Sequence, residues 1–408
     1  MSRPIAVRFE RVDVVFGPRR AEALALLDAG ADRETIQKRT GALVAVAGAD
    51  LCVHEGEIAV LMGLSGSGKS SLIRCVNGLN PVSRGRVLVT IGGETIDLAA
   101  CRPADLKRLR GTGVAMVFQQ FALLPWRTVA ENVGFGLEVN GVPKREIAAI
   151  VRDKLALVGL SDWADAYGHE LSGGMQQRVG LARAFAMDAP ILLMDEPFSA
   201  LDPLIRTKLQ DELVALQKEL RKTILFVSHD LDEAMKIGDR ISILEGGRIV
   251  QTGSPEEIAL APATPYVAEF VAHMNPLDVL RARSVMTPLA EIAAPGARGV
   301  AVPSARLVLA LDDRGGLAGA TMEGQRPAAI ASADRSTAER ADIVLAPPET
   351  TLRAAIAIRR STGALLVVVE ADGRVAGILG ERELYDGVLG RKAAIAARQD
   401  PAAERVAG

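Results

Sequence analysis

The sequence predicts an α/β fold in which a mostly parallel sheet carries helices on both faces, followed by a smaller α+β region. Three observations support this prediction. Apolar runs typical of buried strands alternate with helical stretches between residues 5 and 253. The run at 58–63 leads directly into a glycine loop and a helix that begins near Lys69. Beyond residue 285, two similar stretches at 306–322 and 364–380 each read as a strand hairpin and carry no catalytic motif.

The N-terminal elements can be placed from periodicity and helix breakers. Strand-like alternation covers residues 5–16, and a second set of strands follows through 43–62. Residues 20–40 lie between them and predict two short helices, Ala21–Leu27 and Asp32–Arg39, separated by an alanine–glycine break. Residues 104–190 are predicted to be mostly helical.

Composition excludes several classes of protein. With 408 residues, two or three domains are expected. The 48 basic and 50 acidic residues give a net charge of −2, without the basic excess typical of a nucleic-acid binder. Three cysteines, without metal-ligand spacing, indicate reduced thiols. The charged N-terminus does not resemble a signal peptide, and the apolar runs are shorter than the roughly 20 residues needed to cross a bilayer. Any role at a membrane is therefore expected to come through a partner.

Residues 63–70, GLSGSGKS, match the phosphate-loop pattern G-x-x-x-x-G-K-[ST]. The glycines allow backbone N–H groups to face phosphate oxygens, and the following helix adds the positive end of its dipole. Lys69 is expected to contact the β- and γ-phosphates, and the Ser70 hydroxyl to ligate Mg²⁺. The predicted ATP-binding loop comprises Gly63, Leu64, Ser65, Gly66, Ser67, Gly68, Lys69, Ser70 and Ser71.

The segment ILLMDEP at 191–197 is predicted to be a buried strand that ends in two carboxylates. Asp195 is expected to hold Mg²⁺ directly or through water, because ligands bind at the carboxyl ends of strands in open α/β sheets. Glu196 would then face the γ-phosphate as general base or water-positioning group. Taken alone, the pair could be two solvated carboxylates, but the upstream phosphate loop favours the catalytic interpretation.

Gln119 and His229 each follow a strand-like run, AMVF and TILFVS respectively. The Gln119 amide could contact the metal or the attacking water, and a neutral His229 imidazole could orient that water against the γ-phosphate. In isolation, Gln119 could equally be a polar loop residue and His229 a structural or exposed histidine. The neighbouring motifs favour a catalytic role for both.

The segment LSGGMQQR at 171–178 places a serine and two glycines before a predicted helix, which forms a second anion-binding helix end. An ordinary helix N-cap would give the same pattern. However, the phosphate loop already covers the phosphates of one nucleotide. A second phosphate-reading element therefore fits best if it approaches from another subunit.

Along the chain these five motifs occur in the order phosphate loop, Gln119, LSGG, ILLMDEP and His229. In this order they resemble the ATP-binding-cassette (ABC) ATPases over about residues 5–270. The resemblance implies two cassettes packed head to tail, with the LSGG motif of one copy over the phosphate loop of the other. It also implies that Phe16 stacks on adenine, and that SALD at 199–202 is the D-loop that couples the two sites. The nucleotide contacts implied outside the phosphate loop are Phe16, Ser172, Gly173, Gly174, Gln176 and Asp202, and the implied metal ligands are Ser70, Gln119 and Asp195.

In this family, the helical subdomain, here about 121–180, docks against an integral membrane permease. The loop at 121–133 is the segment expected to make that contact. The resemblance thus implies a homodimer of cassettes attached to a permease on the cytoplasmic side of the plasma (inner) membrane. A periplasmic or extracellular substrate-binding protein would act indirectly through the permease.

A closer resemblance is carried by the insertion at 20–40 and by three phrases, LMGLSGSGKSSLIRCVNGL, FSALDPLIRTKLQDELVALQ and SHDLDEAMKIGDRI. They are similar to the ATPase subunits of glycine betaine, proline and choline uptake transporters. That family implies a regulatory pair of cystathionine-β-synthase-like (CBS) modules that could bind a small effector. The expected boundaries are an ATPase domain at 1–275, a linker at 276–284, a CBS-like pair at 285–392 with a degenerate first copy, and a tail at 393–408.

Two other classes of ATPase share some of these motifs. DNA-repair and chromosome-organising ATPases carry a long coiled coil between the two halves of the cassette, and no sustained heptads lie between the phosphate loop and Leu171. Ribosome-associated cassette proteins normally contain two cassettes, whereas one phosphate-loop motif occurs here. The sequence therefore favours a transporter subunit that hydrolyses ATP, and it leaves betaine, proline and choline open as solutes.

Overall fold

The computed structural model of the chain divides into two compact units, residues 1–255 and 256–408. Each unit has an apolar core cluster of its own, as expected of separate domains. The predicted tail at 393–408 lies outside the described residues. The structure describes residues 3–272, 274–294, 297–322, 326–333 and 341–390.

In the first unit, strands and helices alternate along the chain. The strands are β1 (Ile5–Phe16), β2 (Leu43–His54), β3 (Ile58–Met62), β4 (Arg84–Ile91), β5 (Glu94–Asp97), β6 (Val114–Val117), β7 (Ile191–Asp195), β8 (Thr223–Ser228), β9 (Arg240–Glu245) and β10 (Arg248–Gly253). The helices are α1 (Arg20–Asp28), α2 (Arg33–Thr40), α3 (Lys69–Ile73), α4 (Pro103–Arg108), α5 (Val129–Val139), α6 (Lys144–Leu157), α7 (Gly173–Ala186), α8 (Pro203–Leu220) and α9 (Leu231–Ile237).

The sheet that carries the motifs has six strands in the order β10-β9-β3-β8-β7-β6. Its strands pair in parallel except for β10, which pairs with β9 in antiparallel fashion. Strands β3, β7 and β8 are buried along their whole length, which explains their unbroken apolar sequences. Because parallel strands end at the same edge of a sheet, the loops after β3, β8, β7 and β6 emerge side by side.

A second, antiparallel sheet has the order β2-β1-β4-β5. Its inward side chains belong to the same core cluster as residues of the six-stranded sheet and of α3, for example Val7 and Phe9 of β1 with Leu61, Leu225 and Leu72. The two sheets are therefore joined by one apolar core. This core fixes the loop between β3 and α3, because both of its flanking elements are buried in it.

The region 121–180, expected to be a helical subdomain, contains α5, α6 and the first half of α7. The loop before α5 is held by Asn132, which is 1% exposed. Its Oδ1 accepts a hydrogen bond from Leu124 N at 2.7 Å, and its Nδ2 donates to the carbonyl oxygens of Leu124, Arg127 and Thr128. One buried amide thus determines the conformation of a loop whose Trp126 side chain is 71% exposed.

The second unit contains two sheets, with strand orders β11-β18-β17-β16-β15 and β12-β13-β14. Its strands are β11 (Thr287–Pro288), β12 (Gly299–Val302), β13 (Leu307–Leu311), β14 (Leu317–Met322), β15 (Ile330–Ser332), β16 (Ile343–Ala346), β17 (Leu365–Val369) and β18 (Val375–Leu379). Helix α10 (Pro255–Leu260) begins at the division, and α11 (Pro265–Ala272), α12 (Ala282–Val285), α13 (Leu289–Ile292), α14 (Leu352–Thr362) and α15 (Glu381–Tyr385) follow.

Both predicted hairpins are present in this unit, as the antiparallel pairs β13–β14 and β17–β18. The second hairpin belongs to the order β16–α14–β17–β18–α15. Within 276–284, the segment expected to be a linker, Asp278 forms an ion pair of 2.6 Å with Arg353, and Leu280 O accepts a hydrogen bond from Leu352 N. This segment is therefore attached to the start of α14.

Candidate nucleotide-binding site

The loop between β3 and α3 has the backbone conformation that its motif requires. Gly63 and Gly68 have φ values of 146° and 102°. A Cβ on Gly63 would overlap the carbonyl oxygen of Leu244, and a Cβ on Gly68 would overlap that of Ala45. Close approach of the backbone, as well as a positive φ, therefore requires glycine at both positions.

Lys69 is buried against this loop, with 5% of its surface exposed. Its Nζ donates hydrogen bonds to the carbonyl oxygens of Gly63 at 2.8 Å and Leu64 at 2.9 Å. Burial lowers the pKa of Lys69, and the negative charges of Glu196 and Asp195 partly offset that effect. The ammonium group thus lies in the loop itself, close to the carboxylates at the end of β7.

Asp195 is fully buried at the end of β7 and receives two hydrogen bonds from the helix after the loop. Ser70 Oγ donates to its Oδ1 at 2.7 Å, and Arg74 Nη2 donates to its Oδ2 at 2.8 Å. A hydroxyl beside a carboxylate oxygen is a suitable partial ligand set for Mg²⁺. Arg74 was not among the residues predicted from the sequence, although its position four residues after Ser70 places both on one side of a helix.

Glu196 follows Asp195 in a left-handed backbone conformation, with φ at 50°. Its N–H donates to Val227 O at 3.1 Å. Its carbonyl oxygen accepts hydrogen bonds from Gln177 Nε2 at 3.1 Å and Ser199 Oγ at 3.0 Å. Gln177 was not among the predicted site residues; it is fully buried, and its Oε1 also accepts a hydrogen bond from Ala200 N.

The side chains of Gln119 and His229 meet at the carboxylate of Glu196. Gln119 Nε2 donates to Glu196 Oε2 at 3.2 Å, and His229 Nδ1 lies 3.1 Å from the same oxygen. They come from the loops after β6, β8 and β7, three neighbouring strands of the sheet. The structure thus brings together the three side chains for which the sequence predicted catalytic roles.

The loop after Gln119 is strained and is held by the helix of the LSGG motif. Phe121 and Ala122 have φ values of 47° and 49°. Arg183 of α7 donates to the carbonyl oxygens of both residues, at 2.9 Å and 2.6 Å. Burial lowers the pKa of Arg183. This contact joins the loop after β6 to α7, and no sequence motif predicts it.

The LSGG motif forms the N-terminal end of α7. Ser172 Oγ accepts a hydrogen bond from Met175 N at 3.3 Å, and both Ser172 and Gly173 are exposed. Gln176 Nε2 donates to Gly168 O at 2.7 Å. Across the ranges that the structure describes, no hydrogen bond joins Ser172 or Gly173 to the loop after β3.

Two further predicted residues lie at the ends of elements. Phe16 is the last residue of β1, half-buried at the margin of the core, and Gly17 follows it with φ at 100°. Asp202 caps α8 by accepting a hydrogen bond from Ile205 N at 3.0 Å.

In the described part of the chain, no cluster of three or more His, Cys, Asp or Glu side chains could hold a metal ion.

Comparison with known proteins matches residues 46–199 to the ABC transporter family. The glycine betaine/proline betaine transport system ATP-binding protein ProV of Salmonella typhimurium is 48% identical, over 66% of this chain and 67% of that protein. ProV of Escherichia coli is 47% identical, over 69% of each protein. The chain belongs to the ABC transporter family.

The ABC fold is also found by comparison with solved structures. A dimeric, post-hydrolysis structure of the ATP-binding cassette MJ0796, bound to ADP and Pi, aligns with a TM-score of 0.52 and 29% identity. The alignment covers 98% of that cassette and 61% of this chain. This chain therefore contains a whole ABC cassette together with further residues.

As an ATP-binding subunit of the ABC transporter family, the protein binds ATP and is an ATPase. Its similarity to transport-system proteins favours the transporter prediction over a DNA-repair or ribosome-associated ATPase. Among the described helices, none has both the length and the apolar character needed to span a bilayer.

Proposed function

We propose that this ABC ATPase powers the uptake of glycine betaine, proline or choline-type solutes across the cytoplasmic membrane. The observation that carries the proposal is the convergence of Gln119 and His229 on the Glu196 carboxylate, at the sheet edge that also holds the phosphate loop. The solute class is supported by the ProV proteins, whose names assign them to glycine betaine and proline betaine transport.

In the proposed reaction, Glu196 accepts a proton from the attacking water as the water oxygen bonds to the γ-phosphorus. The bond between the γ-phosphorus and the bridging oxygen breaks, and ADP carries that oxygen away. His229 and Gln119 orient the carboxylate and the water, since both contact Glu196 Oε2. The hydrogen bonds to the Glu196 backbone hold the main chain from which this carboxylate extends.

Phosphate binding is assigned to Gly63–Ser71. Lys69 would exchange the carbonyl oxygens of its own loop for the β- and γ-phosphates. Ser70, Asp195 and Gln119 would hold Mg²⁺, which when bound neutralises charge on the phosphate oxygens. Arg74 would keep the second carboxylate oxygen of Asp195 occupied, so that only one faces the metal site.

Completion of the site is assigned to a second copy of the chain. Ser172, Gly173, Gly174 and Gln176 of that copy would contact the γ-phosphate region, and Asp202 would act in the D-loop between the two sites. Exposure of Ser172 and Gly173 at the start of a 14-residue helix supports this assignment, as does the dimeric state of the MJ0796 cassette. Phe16 would stack on the adenine base.

The permease is proposed to dock on the groove between α5 and α6. This groove of about 530 Å³ is lined by Trp126, Arg127, Glu131, Lys144 and Ile147, among others. An exposed aromatic side chain such as that of Trp126 is a typical anchor of a protein interface. The protein would thus lie peripherally on the cytoplasmic side of the inner membrane, and a periplasmic or extracellular binding protein would deliver the solute to the permease.

The second unit is proposed to be a CBS-like regulatory pair. The order β16–α14–β17–β18–α15 supports assigning the second copy to 341–390. The first copy would be degenerate, since its hairpin β13–β14 follows only the four-residue helix α13. A small-molecule effector is the proposed ligand of this unit.

Uptake measured in proteoliposomes that contain the chain, its permease and its binding protein tests the proposal. Wild type is expected to import radiolabelled glycine betaine, proline or choline only with ATP, and Glu196→Gln is expected to abolish that uptake. Glu219→Gln, at an exposed position of α8, is the matched control. Equal uptake by wild type and Glu196→Gln would contradict the catalytic assignment, and no uptake of any of the three solutes would contradict the substrate class.

A further inference from the structure

The insertion α1–α2 is a fixed part of the first unit. It has its own apolar cluster, in which Ala23 and Leu27 of α1 and Ile36 of α2 pack with Val15 and Val44 of the flanking strands. Ile36 and Val44 are fully buried. The orientation of both helices is therefore determined by core packing.

Charged side chains attach the insertion to the antiparallel sheet. The Arg84 guanidinium of β4 donates to both carboxylate oxygens of Asp28 on α1, at 2.7 and 2.8 Å. Its Nε donates to Asp13 of β1 at 2.6 Å, and Asp13 is 1% exposed. At the base of the insertion, Arg19 Nε donates to Thr40 O at 3.1 Å. A bidentate arginine–carboxylate pair fixes orientation as well as distance.

This attachment brings Arg33, the first residue of α2, to the phosphate loop. Its Nη1 and Nη2 lie 3.4 and 3.5 Å from Gly66 O. The next peptide N–H, that of Ser67, donates to Leu64 O at 3.2 Å. Because C=O and N–H of a trans peptide point in opposite directions, this hydrogen bond turns the Gly66 carbonyl outward, towards the guanidinium.

Arg33 carries a positive charge that forms no ion pair with any carboxylate of the described residues. It is half-buried, and burial lowers its pKa, but a guanidinium stays protonated at any physiological pH. Within the part of the chain that the structure describes, no carboxylate oxygen lies within 4.0 Å of its guanidinium nitrogens. Asp32, its neighbour, is engaged as the N-cap of α2 by Thr35 N at 2.8 Å.

We propose that the insertion is part of the nucleotide site, and that Arg33 is a positioning residue of the phosphate loop. It fixes the turn Leu64–Ser67 through the Gly66 carbonyl and adds a positive charge that favours the polyphosphate of bound ATP. This role rests on the proposed phosphate-binding function of Gly63–Ser71. The insertion would then contribute to nucleotide binding as well as to the packing of the first unit.

The test compares Arg33→Ala and Arg33→Lys with Arg39→Ala, an exposed arginine of the same helix whose removal changes the net charge equally. Binding of a fluorescent ATP analogue to the full-length protein is titrated at low and high salt, together with KM and kcat for ATP. Arg33→Ala is expected to raise Kd and KM about three- to tenfold and to weaken the salt dependence of Kd, with a smaller change in kcat. Arg33→Lys is expected to retain the salt dependence and to recover part of the affinity.

Arg39→Ala is expected to bind as wild type does. The proposal is overturned if Arg33→Ala also binds as wild type does, or if its Kd rises while Arg33→Lys is equally impaired. Lys69→Ala in the same assay separates this outcome from failure of the phosphate loop itself. If Lys69→Ala loses the analogue and Arg33→Ala does not, only the role of Arg33 is wrong, whereas retained binding by Lys69→Ala would contradict the site as a whole.

Discussion

Glu196 illustrates how single residues are held at this site. Its φ of 50° places a residue with a Cβ in a region that costs roughly 1–2 kcal/mol. Four hydrogen bonds hold its backbone: its N–H donates to Val227 O, and its carbonyl oxygen accepts from Gln177 Nε2 and from both the Oγ and the N–H of Ser199. The backbone conformation thus sets the direction in which the side chain leaves the chain, and Gln119 and His229 contact the carboxylate itself. The sequence motif identified the residue, but not this conformation, because its partners lie in other elements.

Glu196→Gln is expected to lower kcat for ATP hydrolysis by about 100-fold or more, since an amide cannot accept the proton from water. ATP binding should persist, because the phosphate loop is unchanged. Steady-state ATPase assays and nucleotide titration of the same preparation measure both quantities. Hydrolysis at the wild-type rate would show that another group is the base.

Gly63→Ala and Gly66→Ala are expected to differ in their effects. Both positions have positive φ, but an alanine Cβ at Gly63 would overlap Leu244 O, whereas one at Gly66 would meet no atom within 4 Å. Gly66→Ala should therefore lose only about 1 kcal/mol of the free energy of unfolding. Gly63→Ala should lose more and should fail to bind ATP. Denaturant unfolding and nucleotide titration measure this, with Gly92→Ala, at an open turn, as control.

At the scale of elements, buried polar contacts couple the loop of His229 to the helix after the D-loop. Ser228 at the end of β8 donates to Glu233 Oε2 of α9, and Gln210 of α8 donates to Glu233 Oε1 at 2.9 Å. Arg206 of α8 pairs with Asp230 at 3.4 Å. The residues on either side of His229 are thus tied to α8, so a shift of α8 would move the histidine against Glu196.

Glu233 makes this coupling sensitive to pH. Burial, which outweighs its hydrogen bonds from Ser228 and Gln210, raises the pKa of Glu233. Folding therefore favours the protonated form of Glu233. The contribution of this protonated group to the free energy of unfolding is complete below the pKa of the unfolded state, and it is lost as pH rises through the pKa of the folded state. Between these two values, the free energy of unfolding falls by about 1.4 kcal/mol per pH unit.

Glu233→Gln, which does not ionise, is expected to gain stability relative to wild type as pH rises from the ordinary glutamate pKa towards neutrality. Denaturant unfolding of both proteins over this pH range measures the difference. Asp232→Asn, on the same helix, is the control for a change of charge in α9. A stability difference that stays constant with pH would show that the Glu233 pKa is not raised.

Four of the five motifs could be predicted as one site because each lies at or just after the carboxyl end of a parallel strand, and such strands end at a shared edge. The LSGG motif instead begins α7. That Gln119 and His229 meet at Glu196 depends on the order of β8, β7 and β6 in the sheet. Local sequence does not encode that order. Arg183 could not be found in this way, because its partners, the carbonyl oxygens of Phe121 and Ala122, lie far away along the chain. Every residue has a backbone carbonyl oxygen, so the residue types in a sequence do not show which carbonyl accepts a hydrogen bond from a distant arginine.

At the scale of the whole molecule, catalysis and the proposed regulation belong to different compact units. The described motif residues all lie in the first unit, which has a continuous core of its own. The segment 276–284 is attached to the start of α14 through Asp278 and Leu280. Division between residues 255 and 256 therefore separates the units more cleanly than a cut within that segment.

Deletion of residues 256–408 is expected to leave ATP binding and hydrolysis while removing the response of the ATPase to ionic strength or to a small effector. The physical reason is that the strands and the helix that position the phosphate loop, Asp195 and Glu196 pack in the apolar core of the first unit. ATPase rates of the full chain and of the shortened chain over a range of salt concentrations measure this. An unchanged salt response after the deletion would contradict the regulatory proposal.

The central claim is that one protomer holds only part of the hydrolytic site. Ser172 and Gly173 of the LSGG motif are exposed, and within the described residues neither is hydrogen-bonded to the phosphate loop of its own protomer. The most direct test is the molecular mass in solution of the full-length Glu196→Gln protein, measured by light scattering with and without saturating ATP. The claim predicts a mass near that of one chain without ATP and near that of two chains with it. A mass of one chain at saturating ATP, in a sample shown to have bound the nucleotide, would contradict it.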